Sequence, residues 1–140
     1  MTVYVDGSVV LRRVLNQPGH LEPWGQWEVA VCSELTRAEC RRTLDRMRLQ
    51  GKLVGTELAE MATLLRLVLE PLQEVRLLPA ILNRAGSDFP APLGTLDAIH
   101  LATALFWIEQ SGEPLTFLTH DRQLALAARA CGLNVLPPVP

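Results

Sequence analysis

Four acids, Asp6, Glu39, Asp97 and Asp121, stand far apart in this 140-residue chain, each where folding could turn a carboxylate to chemical use. Gathered on one rim they would repel one another, and a divalent cation would be needed to make the group tolerable at neutral pH. Oxygen ligands without paired His or Cys favour Mg2+ or Mn2+ over zinc. Such an ion keeps positions open for water and phosphate oxygens, which suits in-line hydrolysis of a phosphodiester. Taken singly, each acid also has an ordinary role. Asp6 and Asp121 suit a turn or a helix N-cap. Asp97 complements the positive end of its helix, and Glu39 has Arg42 and Arg46 as ion-pair partners on its own helix. Convergence is what separates the two readings.

The elements that must position these acids read as alternating strands and helices. Residues 2–5 are uncharged, β-branched or aromatic, as in a strand buried on both faces. Asp6-Gly7-Ser8 ends it, and a helix follows to about residue 15 before the break at 16–19. Residues 27–32 form a second strand. Ser33 caps a helix to about residue 50, with Gly51 as its stop. Thr56 opens a helix at 57–70 that Pro71 ends, a short strand covers 74–78, and Pro79 begins a brief helix to Gly86. Residues 87–94 are a loop. Thr95 caps an almost wholly apolar helix to about residue 110, and 115–119 is a strand. A helix at 121–131 closes on Gly132, and 133–136 is the last strand.

Strands separated by helices imply a three-layer α/β/α arrangement with a mainly parallel central sheet and right-handed crossovers. Ligands of such sheets bind beyond the carboxyl ends of the strands. Asp6 lies just past the first strand and Asp121 just past the strand at 115–119, so the fold alone delivers two carboxylates to one rim. Asp97, in the first turn of an apolar helix, needs donors, a cation or a metal to offset its burial.

Hydrophobic residues make up 49% of the chain and charged residues 20%, which indicates one ordinary globular domain over residues 1–140. The opening segment lacks the basic n-region of a signal peptide, and no apolar run reaches the roughly 20 residues of a membrane helix. A cytoplasmic location without membrane association is expected. Cys32, Cys40 and Cys131 are odd in number and scattered, as reduced core thiols would be. Net charge is −2, which excludes nucleic-acid binding through a large overall positive field. Twelve of the thirteen cations are nevertheless Arg, with Lys52 alone, so either a coding bias or a local phosphate-binding surface is at work.

With these residues in place, the chain resembles the PIN-domain ribonucleases, and more closely the VapC toxins of bacterial type II toxin–antitoxin pairs. The resemblance rests on V-Y-V-D-G-S at 3–8, S-E-L-T-R-A-E at 33–39, T-L-D-A-I-H-L-A-T-A-L at 95–105, and F-L-T-H-D-R-Q-L with A-A-R-A-C-G-L within 117–133. It implies a PIN-like fold, Mg2+ or Mn2+ at an acidic cluster, and endonucleolytic cleavage of RNA. By motif, Asp6, Glu39, Asp97 and Asp121 match the family's acidic positions, and Ser8 and Thr119 its accompanying hydroxyls. Asp6, Asp97 and Asp121 would hold the cation, while Glu39 completes the shell or orients the attacking water. Arg42 and Arg46 are candidate phosphate contacts. A cognate antitoxin protein and a homodimer are the partners the family implies. Gly7 departs from the pattern, in which a small hydroxyl residue is common.

His20, His100 and His120 are not spaced as a ligand set, and His100, one turn from Asp97, reads as a packed helix residue. Trp24, Trp27 and Trp107 suit core or dimer packing, with base stacking as the other use. Leu58, Met61, Leu64, Leu65 and Val68 mark a core, dimer or partner face. A receiver-type signalling domain would want adjacent acids early and a Lys after a late strand, and an Asp-nucleophile phosphatase would want Asp at position 8. Neither is present. A degenerate PIN domain serving only as a metal- or partner-binding module is the remaining alternative.

Overall fold

The computed structural model describes residues 1–18 and 24–137. His20, Gly19 of the expected break, and residues 138–140 lie outside the described residues.

Five strands and six helices follow in the expected order. They are β1 (Thr2–Val5), α1 (Gly7–Val14), β2 (Val29–Ser33), α2 (Thr36–Leu49), α3 (Gly55–Leu69), β3 (Gln73–Val75), α4 (Pro79–Ala85), α5 (Thr95–Ser111), β4 (Thr116–Leu118), α6 (Arg122–Ala130) and β5 (Asn134–Leu136). All strand pairings are parallel, in the order β3-β2-β1-β4-β5. The expected α/β sheet is therefore what forms. β1 is central, and pairing switches from its β2 side to its β4 side, which opens a crevice past the carboxyl ends of β1 and β4.

Alternation along β1 divides the core. Val3 and Val5 face one layer, packed with Val9, Val10 and Val14 of α1, Leu44 of α2 and Leu65 of α3. Tyr4 faces the other, with Leu101 and Ala104 of α5, Phe117, and Leu124 and Ala128 of α6. Val3, Tyr4 and Val5 are all fully buried, as a strand covered on both faces requires. Trp24 and Trp27 meet each other edge to face and pack against the first core cluster, and Trp107 packs against the second.

Element ends differ from expectation where local hydrogen bonding overrides the sequence signal. Ser33 does not cap α2. It stays in β2, and its hydroxyl accepts from the Leu35 N–H at 3.1 Å, so the helix begins at Thr36. The second strand accordingly lies two residues later than expected at its start. Val54 and Gly94, not Thr56 and Thr95, precede α3 and α5, and the Glu57 carboxylate accepts from the Val54 N–H. Gly112 ends α5 at φ 71°, a left-handed conformation that favours glycine.

Leu101 is fully buried where α5 crosses the sheet. Leu101→Ala should lower unfolding free energy by about 2–5 kcal/mol through lost contact and cavity formation, read as a lower urea midpoint with an unchanged slope.

Candidate active site

Asp6 directly follows β1, and its N–H donates to the Leu118 carbonyl at 3.0 Å, which locks it against the end of β4. It is 7% exposed. Two hydroxyls serve its Oδ2: Ser8 donates at 2.7 Å and Thr119 at 2.9 Å. Ser8 also accepts from the His120 N–H and Thr119 from the Asp121 N–H, both at 3.0 Å. This network ties the start of α1 to the β4–α6 junction. Ser8 and Thr119 thus stand where the sequence reading put supporting hydroxyls.

Asp121 is the N-cap of α6, its Oδ1 accepting from the Leu124 N–H at 2.9 Å. Glu39, in the first turn of α2, does not pair with Arg42 or Arg46. Its Oε1 meets His100 Nε2 at 2.5 Å, and the same nitrogen lies 3.9 Å from Asp6 Oδ1. His100 is 1% exposed, and its Nδ1 is 2.7 Å from the Tyr4 hydroxyl. Arg42 is turned to Asp45 at 3.1 Å, and Arg46 is exposed. Those two are therefore not gathered onto the acids.

Asp97 is half-buried, one helical turn before His100. Burial pushes its carboxyl up to about 6, with the charges of Asp121, Asp6 and Glu39 adding to the effect and His100 opposing it. Electrostatically, then, all four acids converge on one place. Among the described residues no hydrogen bond reaches the Asp97 carboxylate. The same holds for Asp6 Oδ1, Glu39 Oε2 and Asp121 Oδ2, so three acids each have one oxygen anchored and one left over. For His100, burial favours the neutral ring, but the Glu39 bond and the Asp6, Glu39 and Asp97 charges outweigh it and raise its pKa. His120 beside the rim moves the other way, held down by burial and by Arg12, and its buried Nε2 finds no partner.

No three His, Cys, Asp or Glu side chains among the described residues already stand as a closed metal cage. The donor chemistry nevertheless fits a hard divalent cation: the unanchored groups are carboxylate oxygens, and one acid is visibly destabilised by its neighbours' charge. His100 is the residue that sequence reasoning left in the packing. Its only signal was position, three residues after Asp97 and so on the same helix face.

Gly7 opens α1, and its carbonyl faces Cys40 Sγ at 3.8 Å. A Cβ there would meet Cys40 Sγ at 3.6 Å, an ordinary contact, so the absence of a hydroxyl residue at this position does not reshape the loop.

Comparison with known proteins places these observations. The PIN domain family matches residues 3–130. The chain is 31% identical to Ribonuclease VapC47 of Mycobacterium tuberculosis, covering 97% of this chain and 96% of that protein. It is 33% identical to Ribonuclease VapC46 of the same species, covering 97% of each. The fold is similar to a Pyrobaculum aerophilum protein, PAE2754, at a TM-score of 0.63 and 19% identity, over 96% of this chain and 83% of that one. It is similar also to a chain of the Rickettsia felis VapBC2 structure, solved bound to a promoter DNA fragment, at a TM-score of 0.65 and 13% identity, over 96% and 97%.

Because the folded Asp97 pKa is raised above its unfolded value near 4, ionised Asp97 destabilises the metal-free protein. That penalty is absent below pH 4, grows as pH rises towards 6, and is complete above it. In EDTA at pH 7.5, Asp97→Asn should therefore be more stable than the parent by about 1 kcal/mol, after discounting for partial exposure. In thermal melts the advantage should vanish near pH 4.

Proposed function

The chain belongs to the PIN-domain family and, within it, to the VapC ribonucleases, and from that premise we propose that it is a divalent-metal-dependent endoribonuclease acting as the toxin of a toxin–antitoxin pair. The observation that carries this reading is Asp97, a half-buried carboxylate without a hydrogen bond, pushed up to about 6 by burial and by three other acids. An arrangement that costs stability and has no structural partner is what a cation site requires before its ion arrives.

In this proposal Asp6, Asp97 and Asp121 hold Mg2+ or Mn2+ through their unanchored oxygens, and Glu39 completes the shell or orients water. When bound, the ion supplies a lowered water pKa and offsets charge developing on the phosphoryl oxygens. Ser8 and Thr119 hold Asp6 Oδ2 and fix the direction of Oδ1. The Leu124 N–H does the same for Asp121. Arg42 and Arg46 remain candidate contacts to the RNA backbone, with Arg42 first having to leave Asp45.

The proposed partners are RNA, a cognate antitoxin protein and a second copy of the chain, and the proposed location is the cytoplasm. Among the described residues no helix is long and apolar enough to cross a membrane. The whole of residues 1–140 is read as one PIN-like domain.

Incubation of the purified protein with total RNA should give discrete cleavage with Mg2+ or Mn2+ and none with EDTA. Asp97→Asn and Asp6→Asn should each lower the rate at least about 100-fold, a loss of about 2.7 kcal/mol in transition-state stabilisation, with far-UV circular dichroism unchanged. Cleavage indifferent to EDTA, or full activity in folded Asp97→Asn, would refute the reading.

A further inference from the structure

We propose that His100 is a positioning residue: braced by the Tyr4 hydroxyl, its Nε2–H holds the Glu39 carboxylate at the acidic rim. This rests on the nuclease reading above and adds to it a residue that none of the acidic positions includes.

Three elements meet in the arrangement. Tyr4 projects from the centre of β1, is fully buried, and stacks on Phe117 of β4 with ring centroids 4.9 Å apart at 12°. A tyrosine so confined has a fixed hydroxyl. That hydroxyl lies 2.7 Å from Nδ1 of His100 on α5, and the ring's other nitrogen lies 2.5 Å from Oε1 of Glu39 on α2. Burial keeps the Tyr4 phenol protonated, its pKa raised well above the ordinary value.

The proton positions follow from the partners. An ionised Glu39 can only accept, so Nε2 carries a hydrogen. Nδ1 meets the Tyr4 hydroxyl, a group able to donate or to accept, so neither buried group is left unsatisfied. With both nitrogens engaged and 1% exposure, His100 has no free atom to offer a substrate. Its effect must pass through Glu39.

Glu39 needs such a partner. It has three side-chain torsions, whose ordering costs conformational entropy, and sits partly exposed on a helix that offers Arg42 and Arg46 as alternatives. A rigid donor already in place selects the inward rotamer and leaves Oε2 free. Asp6 and Asp121 are treated alike, each with one oxygen tied down and one open. His100 does for Glu39 what Ser8 and Thr119 do for Asp6.

The test compares His100→Ala, His100→Gln and Tyr4→Phe with the parent. Each is measured for RNA cleavage at saturating Mg2+, for Mn2+ affinity by electron paramagnetic resonance, and for thermal unfolding. His100→Ala should lose about 10- to 100-fold in kcat with KM for RNA changed less than twofold, and should bind Mn2+ about tenfold more weakly. His100→Gln, whose amide N–H reaches nearly as far as Nε2, should recover part of both losses. Tyr4→Phe should show a smaller loss of the same kind.

Folded His100→Ala with parental kcat and Mn2+ affinity would overturn the proposal. If that variant does not fold, Tyr4→Phe decides: parental kcat and Mn2+ affinity would overturn it equally. Should the parent cleave no RNA while Mn2+ affinity still falls in the variants and returns with His100→Gln, the nuclease reading fails and the positioning role stands.

Discussion

A carboxylate buried at the carboxyl end of the central strand is the constraint around which the rest of the molecule is arranged. Asp6 is 7% exposed, and an ionised group in that position costs several kcal/mol unless its surroundings compensate it. Compensation comes from both sides of the β1–β4 seam. Ser8 reaches back from α1 and Thr119 from the end of β4, while the backbone of Asp6 is pinned to Leu118. Strand order makes this possible. β1 lies between β2 and β4, α1 packs on one face of the sheet and α6 on the other, and the crevice between their starts is where Asp6 emerges. Moving Asp6 one residue along the strand would turn its side chain into a hydrocarbon layer.

Around that fixed point the other acids are placed so that they cannot all relax. Asp121 uses one oxygen as a helix cap, Glu39 offers one to His100, and among the described residues no hydrogen bond reaches the Asp97 carboxylate. A neutral Ser or Asn in the first turn of α5 would set no charge against the other three acids. The molecule instead retains a carboxyl shifted to about 6. Local destabilisation of this kind, surrounded by a tightly packed core, is what the proposed cation would relieve.

The sequence made Asp6 and Asp121 legible for a simple reason. A strand buried on both faces must end, and the polar residues that follow it within a few positions lie at the sheet's carboxyl edge. Asp97 was legible through incongruity, an acid among Leu96, Ala98 and Ile99. Glu39 was not legible from its own helix, because spacing along α2 offered Arg42 and Arg46 as partners and gave no hint that a group on α5 would compete. His100 was hidden for the matching reason: a lone His on an apolar face is ordinary, and its two partners lie 96 and 61 residues away. Strand and helix order followed from pattern, but the exact ends did not. Ser33, Thr56 and Thr95 all look like caps, yet the backbone enters each helix one or two residues from where the propensity points.

Charge balance sets the terms on which a polyanion could approach. The chain carries −2 overall and concentrates acids at the rim, so bare electrostatics repel RNA from the very place proposed to cut it. A bound divalent ion reverses the local sign only within a few ångströms, because salt screens beyond about 10 Å. Attraction from further out has to come from the arginines. Arg42 and Arg48 are partly neutralised by Asp45 and Arg66 by Glu70, and Arg37, Arg41 and Arg66 line one concavity between α2 and α3. On this account affinity and cleavage depend on different groups: the guanidinium surface holds the backbone by a salt-sensitive, sequence-blind interaction, and the acids act only on the phosphate brought to the ion. Raising salt should therefore weaken binding without lowering the rate at saturating RNA, the separation that distinguishes a remote cationic surface from charges acting at the reacting phosphate.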